Sequence, residues 1–129
     1  IDTAGPLAKA LGLEPTVEPA VSEIPTPSNL PSAERTAWLR RAFASTWGEV
    51  EGDIDYVQWR DRVAEAVARH AGAAIFTHFV AINAAVSAAT GDDAVLSFHP
   101  DHASITVFET EGGVLRLIER GRSAPTSVL

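Results

Sequence analysis

Ala73-Ala74-Ile75-Phe76-Thr77-His78-Phe79-Val80-Ala81-Ile82-Asn83-Ala84-Ala85-Val86-Ser87 is the stretch whose reading decides the fold. It opens with a short apolar run, Ala73 to Phe76, which reaches Thr77-His78. Four apolar residues are too few for a helix buried on all sides, and they suit a central strand covered on both faces. From Phe79 to Ala89 the chain is apolar again and almost uncharged. Here Val80, Ala81, Ala84, Ala85 and Ala88 recur at helical spacing, and their small side chains allow close packing. Gly91 follows as a helix stop. His78 is therefore expected where a buried strand ends and a helix begins. In open α/β sheets that edge binds ligands, and a helix N-terminus there attracts anions through its free N–H groups. By position alone, however, a histidine beside an apolar strand is more often structural than catalytic.

Upstream, Ala4 to Leu13 has the pattern of an amphipathic helix. Leu7, Ala8 and Leu11 share one face, Pro6 is tolerable in the first turn, and Gly12 ends it. Glu14 to Glu18 is β-like around Val17 and leads to Val21-Ser22-Glu23-Ile24. Pro25, Pro27 and Pro31 then preclude regular structure and mark a surface loop or lid. A second helix is expected over Ala33–Thr46, with Trp38, Leu39, Ala42 and Phe43 as its stripe. The acidic stretch Gly48 to Asp55 lacks the ligand pattern of a calcium loop and reads as a solvated turn. Asp55 to His70 is the third helix, with Val57, Val63, Ala64 and Val67 on its buried side. Trp38, Trp47 and Trp59 read as packing residues rather than a stacking platform.

Downstream the chain turns β-rich. Ser104 to Glu109 alternates and contains β-branched residues, Glu111-Gly112-Gly113 is a hairpin turn, and Val114 to Glu119 returns antiparallel. Arg122 to Leu129 reads as an irregular tail. The expected fold class is α/β: a three-layer αβα sandwich with a mixed, mostly parallel sheet and a C-terminal antiparallel hairpin.

The whole chain, residues 1–129, reads as one domain. A hydrophobic content of 46% gives it a real core. Its net charge of −7 argues against a nucleic-acid partner, which would need a basic patch. A local cluster of Arg and His could still oppose that field and hold a phosphate ester. With no cysteine there is neither a disulfide framework nor a thiolate nucleophile, which fits a reducing compartment. No stretch has the length and apolarity of a membrane span, and no signal-like start is present, so a cytoplasmic location is expected. His99-Pro100-Asp101-His102 lacks a third histidine or a cysteine pair at ligand spacing, so no metal site and no cofactor is expected.

Several segments in order resemble the histidine phosphatase superfamily, also called phosphoglycerate mutase-like. Thr3 to Leu13 looks like the helix after the family's second arginine motif. Val21-Ser22-Glu23-Ile24 looks like its "L-x-E-I" stretch, whose Glu is the general acid. The helix from Tyr56 to His70 resembles the segment before the last core strand. Ala73 to Phe79 resembles the strand ending in "S-H-G", with Thr77 and Phe79 in place of Ser and Gly. The closing hairpin matches Ser104 to Glu109 and Gly113 to Gly121. The resemblance implies a phosphomonoester hydrolase working through phosphohistidine. Glu23 would be the general acid and His78 would bind the transferring phosphoryl group. Thr77, and Phe79 through the N–H that follows His78, would add substrate contacts.

The family's nucleophile lies in an R-H-G motif on the first strand. None of His70, His78, His99 and His102 follows an Arg and precedes a Gly. Ile1 opens mid-pattern, so the resemblance places this strand upstream of Ile1 and makes the chain the later two-thirds of a family domain. The alternative is a catalytically inactive anion-binding or interaction module on the same scaffold. Expected partners are a phosphorylated small molecule or inorganic phosphate, with an exposed sheet edge favouring a homodimer.

Overall fold

The computed structural model describes residues 3–125. Residues 1–2 and 126–129, the last four positions of the expected tail, lie outside the described residues. Four α-helices and one hairpin follow in order: α1 (Gly5–Leu11), α2 (Ser32–Phe43), α3 (Tyr56–Arg69), α4 (Phe79–Thr90), β1 (Val107–Glu111) and β2 (Val114–Glu119). Short 3-10 turns at Pro19–Val21 and Trp47–Glu49 join them. The architecture is mixed α/β.

The helix limits have local causes. Asp55 caps α3 by accepting from the N–H groups of Val57 (3.0 Å) and Gln58 (3.2 Å). Gly91 adopts a left-handed φ of 80° after α4 and donates its N–H to the Ser87 carbonyl at 2.8 Å. In the hairpin Glu111 pairs with Val114, so Gly112-Gly113 form a two-residue loop, both with positive φ. That is the backbone a tight hairpin needs, and glycine meets it without strain.

The core sits between α2, α3 and the first half of α4. Trp38, Ala42, Trp47, Tyr56, Trp59, Val63, Ala66, Val80, Ala81, Ala84 and Val95 are buried together there. The three tryptophans are packing residues: Trp47 lies 5.7 Å from Trp59, and Trp38 lies 5.6 Å from Tyr56, centroid to centroid. Ala64 and Ala85 carry α3 and α4 against Leu115 of β2, and this second cluster docks the hairpin. The small residues of α4 explain the close approach.

Three expectations change. The central strand over Ala73 to Phe76 is not formed: among the described residues the sheet is the two-stranded antiparallel hairpin alone. Ala73 and Ala74 are exposed and Phe76 is 44% exposed, because no strand stands beside them to share their backbone bonds. The β-like reading of Glu14 to Glu18 also fails, since no strand pairs with it either. Residues 122–125 of the tail are irregular as expected, apart from one isolated bridge. The Ala124 N–H bonds His99 O (2.6 Å) and the Asp101 N–H bonds Arg122 O (2.8 Å), which bridges Ser123 to Pro100. The third change is that β1 begins at Val107 rather than Ser104. Ser104 Oγ turns back to Asp101 O, and Thr106 Oγ1 accepts from the Gly121 N–H.

Candidate active site

Two segments carry the residues singled out by sequence, and they meet at one hydrogen bond. The Thr77 hydroxyl donates to the Val21 carbonyl. Glu23 follows Val21 by two residues, a reach of about 7 Å, and His78 follows Thr77 directly. Val21 and Ile24 are buried in the main core, so the backbone on either side of Glu23 is fixed while Glu23 itself is exposed. His78 is exposed as well. Neither side chain makes a hydrogen bond or ion pair among the described residues.

His78 occupies the N-cap of α4 with extended backbone (φ −107°, ψ 156°), and its ring does not cap the helix. The expected helix start is therefore in place, although the strand before it is not. The first N–H groups of any α-helix lack intrahelical acceptors, and no side chain caps those of α4. The contact expected of Phe79 is through its backbone N–H, and its side chain is engaged elsewhere. Its ring is half-buried and packs edge-on against Phe43 at 5.4 Å, so its side chain serves the core and its backbone N–H is what faces the helix start.

The turn of α4 that follows is locked by Asn83, which is fully buried. Its Nδ2 donates to the carbonyls of Phe79 and Phe98, both at 3.0 Å. Its Oδ1 accepts from the Ser97 N–H (2.9 Å), the Ser97 hydroxyl (3.2 Å) and the Phe98 N–H (3.3 Å). One amide thus uses both donors and its acceptor to pin residues 97–98 beside the first turn of α4. The His99-to-His102 loop continues from this anchored pair. Within that loop Asp101 is occupied by Arg122 (3.0 Å) and by the His102 N–H (2.8 Å), which together hold its carboxyl below the usual carboxylate range. Among the described residues no cluster of three or more His, Cys, Asp or Glu could hold a metal ion.

A cleft of about 440 Å³ opens between the Pro-rich loop and α2, lined by Pro27, Leu30, Trp38, Arg41 and Glu51 among others. Pro27 lies four residues beyond Glu23. The loop is tethered from behind: the Tyr56 hydroxyl donates to Pro25 O (2.5 Å), and Asp53 Oδ2 accepts the Ser28 N–H (2.9 Å). Gly52 lies beneath the Tyr56 ring, where an added Cβ would fall 2.5 Å from the hydroxyl oxygen.

The family model of branch 1 of the histidine phosphatase superfamily matches residues 1–121. The chain belongs to this superfamily. Comparison with curated proteins and with solved structures gave no match. Membership suggests phosphatase- or mutase-type chemistry. Arg69-His70, which stands closest to an R-H-G motif, is followed by Ala71. His70 sits at the C-terminus of α3, against Glu18.

Two features of the site were missed in the sequence. Asn83 carried a signal, as a lone amide in an otherwise apolar run. The Glu18–His70 pair carried none, since 52 residues separate its members.

Proposed function

We propose that this protein is a phosphomonoester hydrolase working through a phosphohistidine, with Glu23 as general acid and His78 holding the transferring phosphoryl group. The observation that carries the reading is the family match across residues 1–121. The contact between Thr77 and Val21 supports it, because it draws the segments of Glu23 and His78 together. The nucleophilic histidine would come from the family's R-H-G strand, a motif that residues 1–129 do not contain. That strand would pair with residues 73–77 and complete the parallel sheet of a three-layer sandwich.

In the first step the nucleophile's ring nitrogen attacks phosphorus, the bond to the leaving oxygen breaks, and Glu23 gives that oxygen its proton. In the second, a water molecule loses its proton to Glu23 and attacks phosphorus, releasing inorganic phosphate and freeing the histidine. His78, Thr77 and the N–H groups opening α4 would oppose the charge on the equatorial oxygens. The non-phosphate part of a small substrate would reach the cleft between the Pro-rich loop and α2.

Turnover of an aryl phosphate by the full-length protein tests this. His78→Ala and Glu23→Gln are each expected to lower kcat by about 100-fold or more. Unchanged turnover in His78→Ala would sink the assignment. A folded full-length protein that turns over nothing, yet gains melting temperature with vanadate, would favour the inactive anion-binding module.

A further inference from the structure

We propose that Glu18, His70 and Arg69 form a latch that positions the two arms of the candidate site, and that Glu18 and His70 are positioning residues for its chemistry. The inference rests on the reading of Glu23 and His78 as catalytic.

The geometry is that of two rails joined by two rungs. Glu18 Oε2 lies 3.0 Å from His70 Nε2 and 3.3 Å from Arg69 Nη2. Its other oxygen accepts the Ala20 N–H at 3.1 Å, which caps the turn Pro19–Val21. From Glu18 the chain runs five residues to Glu23, and from His70 it runs eight to His78. The second rung is the Thr77 hydroxyl on Val21 O. Between the rungs, residues 71–76 have little else to hold them: Ala73 N–H returns to His70 O, and Ile75 packs against the core. Loss of the first rung would leave the arm of His78 swinging on Thr77.

The chemistry of the pair is fixed by its surroundings. The His70 ring, with the Ala20 N–H and Arg69 behind it, holds the Glu18 carboxyl below the usual carboxylate range. An ionised carboxylate only accepts, so His70 must carry its proton on Nε2. The side chain of Glu18 is 26% exposed and that of His70 40%. Ion pairs this open to water add little to global stability. A displacement of about 1 Å between reacting groups, by contrast, costs about 100-fold in rate. The latch therefore matters for placement far more than for folding.

The test uses the full-length protein and the variants Glu18→Ala, His70→Ala and His70→Gln, the last of which keeps a side-chain N–H donor. Aryl phosphate kinetics, melting temperature and amide exchange are measured on each. The latch predicts that both alanine variants lower kcat at least tenfold, with melting within a few degrees of wild type, and that His70→Gln recovers most of the rate. Unchanged kcat in Glu18→Ala overturns it. So does a kcat loss that tracks a collapse in melting temperature and is not recovered by His70→Gln. If the wild-type protein turns over nothing, the phosphatase reading fails and exchange decides the latch alone. Exchange at Ser22 and Ala73, whose N–H groups bond Pro19 O and His70 O, that is tenfold faster in Glu18→Ala supports the latch, and unchanged exchange overturns it.

Discussion

Residues 73–77 and the helix that follows them are equally apolar in sequence and opposite in fate. In α4, Val80, Ala81, Asn83, Ala84, Ala85, Val86 and Ser87 are all buried, covered by α3, by residues 95–98 and by the hairpin. In the arm just before it, Ala73 and Ala74 are exposed, Phe76 is nearly half exposed, and only Ile75 and Thr77 turn inward. Hydrophobic composition states a need for cover; whether the need is met depends on which neighbours stand alongside. A helix satisfies its own backbone and asks its neighbours only for apolar surface. A strand must also find backbone partners, and the described residues offer residues 74–77 none.

The contrast breaks most visibly at Asn83. Replacing it with Ala removes the partners of the Ser97 and Phe98 N–H groups and of the Phe98 carbonyl, all around a fully buried position. Each buried group left unpaired costs about 1–3 kcal/mol. Asn83→Ala is therefore expected to lower stability by about 3 kcal/mol or more, read as a drop in the urea midpoint. A loss below about 1 kcal/mol would mean that α4 is held by packing alone, and that its advantage over the arm does not come from polar satisfaction.

The same contrast explains what could be read in the sequence. The third helix was legible because Val57, Val63, Ala64 and Val67 recur at helical spacing within sixteen residues, Asp55 to His70. The hairpin was legible because Gly112-Gly113 can serve few other purposes between alternating apolar runs. The apolar character of Ala73 to Phe76 was equally plain, and the helix start at Phe79 fell where expected. The pairing of that strand was not legible, because a strand's partner is a property of the rest of the fold. The approach of the segments that carry Glu23 and His78 rests on a contact between Val21 and Thr77, 56 positions apart, that no local pattern encodes. Family resemblance supplied it instead. Glu18 and His70 had neither source.

A second, smaller effect sharpens the comparison by testing a loop that does have an anchor. Tyr56 is 2% exposed, and its hydroxyl holds Pro25 at the start of the Pro-rich loop. Burial, together with the nearby Asp53 charge, pushes its phenol above the ordinary value, so the donor stays protonated at neutral pH. Tyr56→Phe keeps the ring against Trp38 and removes the single bond. It is expected to cost about 1 kcal/mol, measured as a fall of a few degrees in melting temperature, with faster amide exchange at Ser28. If exchange there is unchanged, Asp53 and its bond to the Ser28 N–H hold the loop, and Tyr56 serves the core alone.

The smallest expected effect on stability belongs to the arm itself, and it carries the most information. Phe76 is 44% exposed, so Phe76→Lys should change the urea midpoint by no more than about 0.5 kcal/mol. Its effect on association should be larger. A short apolar segment with unpaired backbone groups is a template for another strand, and a lysine placed on it opposes pairing. The 129-residue chain is therefore expected to self-associate in sedimentation velocity at high concentration, and Phe76→Lys to shift it toward monomer at equal stability. A large loss of stability would show that Phe76 is packed in solution and that the arm is already covered. Equal association in both chains would move the adhesive surface elsewhere, with the outer face of the hairpin next in order, where Val107, Val114 and Ile118 are 39%, 68% and 50% exposed. The two outcomes separate an arm that lacks a partner from a chain that merely has apolar surface to spare.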